Sequence, residues 1–142
     1  MTDFEPIYAA LFARLSTAAL PVTKSRVLRH WADVPSEEQP AMFQAQTGIV
    51  VRPETNKPTQ YLLKSDVYVY VRAAGDEVPA TKLNALLLDI FGTLAPDKPY
   101  EGRCTLGGLV HYARVSGDVE TDEGTLGDQA VAIVPIEILT TD

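Results

Sequence analysis

The 142-residue sequence holds two histidines, His30 and His111, one cysteine, Cys104, and no lysine or arginine beyond Arg114. One cysteine closes no internal disulfide, and no paired Cys/His spacing offers zinc a ligand set, so the chain suits a reducing compartment. A serine or cysteine nucleophile needs a neighbouring base. His30 stands among cations beside Trp31, and His111 alternates with Tyr112 on an expected strand, the setting of structural histidines. Arg103 adjoins Cys104 and would lower its pKa, but no acid or base accompanies the thiol in sequence. The expectation is a protein that is not an enzyme and carries no metal and no cofactor.

Long apolar runs are also missing. None reaches the ~18 residues needed to cross a bilayer, and the N-terminus MTDFEPIYAALFARL is acidic where a secretory leader would be basic. The glycines in TLGG and TLGD read as turns and match neither a phosphate loop nor a dinucleotide fingerprint. YVYVR sets one arginine beside two tyrosines, too little cation for a base-stacking surface in an acidic protein.

The net charge of −7 is unevenly placed: residues 1–115 carry 12 bases and 12 acids, whereas residues 116–142 carry seven acids and no base. Such an end repels phosphate, so sequence-specific nucleic-acid binding is not expected. Asp118, Glu120, Asp122, Glu123 and Asp128 resemble a calcium loop only superficially, because counting from Asp118 puts Glu123 where the loop needs glycine. They read as a solvated strand connection.

A chain of this length fits one domain, residues 1–142. Phe4, Ile7, Tyr8, Leu11, Phe12 and Leu15 recur at steps of three and four, predicting a helix over 3–19 with Thr2 or Asp3 as cap. A short strand is expected within 22–31. Strands over 41–51 and 60–72 are expected to flank a loop, RPETNKP. In the second, Leu63, Ser65, Val67, Val69 and Val71 face one way and Lys64, Asp66, Tyr68, Tyr70 and Arg72 the other, leaving a tyrosine face for a helix or another subunit to cover. Leu83, Leu86, Leu87, Ile90, Phe91 and Leu94 predict a second helix over 81–94, capped by Thr81. Strands follow over 109–119 and 129–139, the latter at an edge or bulged because it contains Pro135. The fold class is α+β: a mainly antiparallel mixed sheet with two amphipathic helices on one face.

Four phrases carry a resemblance: RHWADVPSEEQPAMFQAQTG, YLLKSDVYVYVR, LNALLLDIF and LGGLVHYARVSGDVETDEGTLGDQAVAIVPIEI. Together, and in this order, they resemble the tail-terminator and tail-completion (minor tail) proteins of long-tailed bacteriophages and prophages. The resemblance implies a virion structural protein with an α/β sheet and two helices. Such a protein assembles as a homohexameric ring on the tail tube protein, ends tube polymerisation and presents the surface that joins the tail to the head. Its partners would be its own copies, the tail tube and a head–tail connector, in a virion tail assembled in bacterial cytoplasm.

A ring needs two unlike patches per subunit. Arg29, Trp31, Pro35, Pro40, Phe43, Tyr68 and Tyr70 are the candidate contacts, since aromatics and arginine favour interface centres. Two roles stand open for Trp31 and Phe43: that interface, or the end of the chain's own core. The acidic set is the candidate lining of a DNA-conducting lumen, or a plain solvent loop. Two other readings compete, a head–tail connector or stopper protein and a small-ligand-binding regulatory domain with Tyr68 and Tyr70 lining its pocket.

Overall fold

The helical stripe near the N-terminus and the alternation in 61–72 build the two layers of the molecule. The computed structural model describes residues 2–125 and 127–142. In chain order these form α1 (Glu5–Leu15), β1 (Thr23–Ser25), two 3₁₀ turns (Trp31–Asp33 and Ser36–Glu38), β2 (Ala41–Glu54), β3 (Lys57–Arg72), α2 (Pro79–Thr93), β4 (Tyr112–Val115), β5 (Glu120–Glu123) and β6 (Gln129–Thr141). The sheet order is β1-β2-β3-β6-β4, with β5 also paired to β6. Only β1 and β2 run parallel; the other pairings are antiparallel. This is the mixed α+β sheet expected from the sequence.

Both helices lie on one face. Ile7, Tyr8, Leu11 and Leu15 of α1 and Leu83, Leu86 and Ile90 of α2 share a core with Leu63, Val67, Val69 and Val71 of β3 and the even-numbered residues 130–138 of β6. Each aliphatic side chain so buried contributes about 1.5–3 kcal/mol of transfer free energy. The helix ends differ from expectation. α1 has Phe4 at its cap position without a side-chain bond, while Asp3 Oδ1 accepts from Glu5 N (3.3 Å). Thr2 is occupied elsewhere: its N and Oγ1 donate to Asp142 Oδ1 at 2.9 and 2.8 Å, tying the two chain ends together. The helix stops at Leu15, before Pro21, and Lys24 Nζ takes the carbonyls of Ser16 and Ala18 beyond it (2.6 and 2.7 Å). α2 starts at Pro79, not Thr81, because proline is preorganised for the first helical position.

The loop expected between β2 and β3 is ladder instead. Glu54 pairs with Lys57, and the turn is Thr55–Asn56, with Asn56 in the left-handed region (φ +63°) that asparagine tolerates. The prolines that suggested a loop are accommodated at the hairpin's free end. Pro53 sits at a register shift between Arg52 and Glu54, and Pro58 lies beyond Gln60, the last β3 residue paired to β6. The strand expected within 22–31 shrinks to β1, since the chain leaves the sheet after Ser25.

Two corrections concern the C-terminal third. Pro135 is not on an edge strand, because β6 lies between β3 and the pair β4 and β5. Its carbonyl accepts from Ser116 N (3.0 Å), and its missing N–H falls where β4 ends. Val115 pairs with Ile136 and Glu120 with Ile133, so the four residues 116–119 lie against two. Gly117 (φ +108°) passes the proline there, where a Cβ would come within 3.5 Å of Pro135 Cγ. The strand expected over 109–119 therefore yields only β4, and the acidic connection 116–128 contains a strand, β5, whose partner β6 supplies the ladder that its composition does not suggest.

Candidate functional site

The sheet face away from the helices carries the tyrosines, and the chain's own segment 29–40 packs against them. Val34, Ala41, Phe43 and Tyr70 form a second, smaller core, with Trp31, Tyr68 and Val131 packed against it. Tyr70 donates its hydroxyl to Arg29 O (2.7 Å), and burial pushes its pKa up to about 12, with the Tyr68 charge adding to the shift. The Phe43 and Tyr70 rings stand 5.6 Å apart. Gln39 Nε2 donates to Val34 O (2.9 Å) and to Gln129 Oε1 (3.0 Å), pinning the other end of the segment to β6. Arg29 Nη2 reaches Asp33 O and Glu38 Oε2, both at 2.8 Å.

These positions divide the seven candidate contacts. Phe43 and Tyr70, 0 % and 3 % exposed, lie inside the chain's own fold and are withdrawn as partner contacts: aromatics there serve the second core. Arg29 is held by its own segment. Trp31, Tyr68 and Pro40 are half-buried and Pro35 is exposed. Trp31 and Tyr68 instead border an open groove of about 370 Å³, completed by Leu28, Val131 and Ile133. It is a predominantly apolar depression on the outer face.

The five acidic candidates fall on both faces of the sheet rather than in one strip. Glu120 and Asp122 pair in register with Ile133 and Val131, so they share the outer face with the groove. Asp66 joins them from β3. Burial and the neighbouring Glu120 charge raise its pKa. Glu123 points to the helix layer, where its Oε2 accepts from Ala80 N in the first turn of α2 (2.6 Å). Asp128 pairs with Arg72 (3.2 Å), and Asp118 is exposed beside Gly117. Asp66 escaped the sequence reading because its neighbourhood depends on the β3–β6–β5 register.

The candidates for chemistry stand apart. His30 Nδ1 accepts from Ala32 N (3.1 Å), capping the first 3₁₀ turn, and its ring lies against Trp31. His111 Nε2 meets Thr141 Oγ1 (3.1 Å). Cys104 is buried, and Arg103, expected beside its thiol, directs Nη1 to His111 O (2.6 Å) and also pairs with Glu101. Among the described residues no group of three or more His, Cys, Asp or Glu is placed to hold a metal ion. No helix among them is long and apolar enough to cross a membrane.

Two further surfaces are available. A cleft of about 720 Å³ opens between the 36–40 segment and α2, with Val71 and Leu86 as apolar wall and Arg72 and Lys82 as cations. Each cation already has a carboxylate, Asp128 and Glu77. The distal part of β2 is the other surface. β1 pairs only with Ala41–Phe43, so among the described residues no strand flanks the side of β2 away from β3 beyond Phe43, and Ile49, Val50 and Val51 are exposed there.

No protein-family model matches the chain, and no curated protein matches it.

Proposed function

We propose that this chain is a virion structural protein of the tail-terminator kind: copies form a ring on the end of a phage tail tube, stop its growth and present the head-joining surface. The four-phrase resemblance supports this reading. The observation that carries it is that one subunit leaves two unlike apolar surfaces uncovered, the groove at Trp31 and the β2 edge at Ile49–Val51. A contact that joins one such patch to a different patch on the next copy is heterologous, and forms a ring where its rotation closes. Exposed apolar patches rimmed by polar groups mark protein contacts. In this reading the protein is not an enzyme, and the β2–β3 hairpin is the element that meets the tube.

The test is the mass of the purified protein across concentration and salt, with images of the same samples. Rings of about six subunits support the reading. A head–tail connector or stopper shares the ring and differs in partner, so binding to the end of isolated tail tubes separates the two. The 720 Å³ cleft favours one reading from another class, a small-ligand-binding domain. A small molecule that raises the melting temperature, with the effect lost in Ala85→Trp at the exposed lip of the cleft, would establish that alternative.

A further inference from the structure

The outer-face groove has apolar walls and an acidic rim with unused capacity. Glu120 and Asp122 flank Ile133 and Val131 along β5, and Asp122 Oδ1 is buried without a hydrogen-bond partner. A buried acceptor left in that state is costly, and a donor arriving from outside relieves it. None of Asp66, Glu120 and Asp122 has a cationic partner among the described residues.

One loop elsewhere on the molecule has the complementary features. Residues 97–103 form a turn closed by Lys98 N to Arg103 O (3.1 Å) and Glu101 N to Lys98 O (3.0 Å). Its base is fixed where Asp97 accepts from Thr105 N, Thr105 Oγ1 and Gly107 N at 2.7–2.9 Å. At its tip Tyr100 is fully exposed, at 105 % the most exposed of the large hydrophobic side chains. Lys98, two residues away, is also exposed and has no carboxylate partner among the described residues. An aromatic held on an anchored turn loses little conformational entropy on burial, and tyrosine is among the residues that anchor interfaces.

The loop belongs to the far end of the sheet. Cys104 O accepts from Ala113 N (2.8 Å), and Ala113 is opposite Ile138, whereas the groove lies at Val131 and Ile133. Those positions are five to seven residues apart on β6, about 15–25 Å along the strand. We propose that Tyr100 and Lys98 of one copy of this chain dock into the groove of a second copy, the tyrosine against Trp31, Tyr68 and Ile133 and the lysine against Glu120 and Asp122. Charge complementarity names the occupant: the acidic rim meets the loop's unpaired lysine. Because knob and groove are different patches, the contact is heterologous and propagates from copy to copy. The inference rests on the self-assembly in the reading above and is independent of the tail tube.

The test combines assembly with cross-linking. Tyr100→Ala, with an unchanged circular dichroism spectrum, is expected to weaken association about 30-fold, the loss of an interface anchor. Lys98→Glu and Glu120→Lys are each expected to weaken it, and their combination to recover most of the loss. Normal assembly by Tyr100→Ala, or no recovery by the double variant, overturns the docking and leaves the ring itself standing. A mixture of Tyr100→Cys and Ile133→Cys proteins, mildly oxidised, is expected to yield a covalent dimer that neither protein yields alone. The buried native Cys104 is present in both and serves as the control. That dimer from a protein that never forms rings supports the docking and sinks the ring; its absence overturns the docking.

Discussion

Tyr70 donates its hydroxyl to the backbone carbonyl of Arg29 across 2.7 Å, and through that bond the central strand β3 holds the segment that carries the only tryptophan. The groove lies between this segment, at Leu28 and Trp31, and Tyr68, Val131 and Ile133 of the sheet. Everything proposed about assembly depends on it staying in place.

Tyr70→Phe removes the donor and leaves the Arg29 carbonyl without it. The expected loss is about 1 kcal/mol in urea unfolding, with faster proteolysis within residues 29–40. Tyr70→Ala adds a cavity beside Phe43 and is expected to cost about 3–5 kcal/mol. An unchanged proteolysis rate in Tyr70→Phe would show that Gln39 and Val34 hold the segment unaided.

Trp31 reports on the groove, being the single tryptophan and half-buried at its wall. Assembly is expected to shift its emission to the blue and reduce quenching by iodide, as a neighbour replaces water. Emission that stays the same from monomer to ring would place Trp31 in the subunit's own core alone.

Asp97 should make the 97–108 loop acid-sensitive. Three donors lower its pKa from 3.8 to about 2, the Gly107 N–H first and the Thr105 N–H next. A carboxylate with a depressed folded pKa contributes stability above its unfolded pKa and loses it as pH falls through the folded one. The protection of the Gly107 and Thr105 amides against exchange, relative to the intrinsic rate at each pH, is therefore expected to fall between about pH 4 and pH 2. Asp97→Asn should show faster exchange at neutral pH and no such acid transition.

Asp66 has the opposite sign. Burial first, then the Glu120 charge, raise its pKa, so its charged form opposes folding. Stability is favoured below the unfolded pKa and declines as pH rises through the folded one. Asp66→Asn is expected to raise the melting temperature at neutral pH and to leave it nearly unchanged near pH 3. Equal effects at both pH values would mean that packing, not charge, is responsible.

Asn56 occupies the left-handed region at the hairpin tip (φ +63°). Asn56→Gly is expected to be neutral, and Asn56→Val to cost about 1–2 kcal/mol because a β-branched side chain clashes there. Equal unfolding midpoints for the two variants would rule out that strain.

Strong periodicity was legible from sequence: the alternation of Leu63 to Val71 located one core face, and Leu83, Leu86 and Ile90 located the buried stripe of α2. What stayed hidden depends on partners distant in the chain. Glu120–Glu123 looks like solvated coil until β6 provides a ladder. Pro135 looks like an edge until the gap at Gly117 accommodates its missing donor. Pro53 and Pro58 read as loop because their positions beyond the neighbouring strands are invisible locally. Trp31 and Phe43 both read as contact aromatics in sequence yet have separate roles, because Phe43 is on β2 under the covering segment while Trp31 is in the cover itself. The acidic trio is likewise a product of register, with Asp66 more than fifty residues from Glu120 in sequence.

The most direct test of the account is the light-scattering mass of the purified 15.5 kDa chain over a concentration and salt series, paired with negative-stain images. Closed rings of about six subunits are expected, loosening as salt screens the contact of Lys98 with the acidic rim. A strict monomer at every concentration and salt would contradict it.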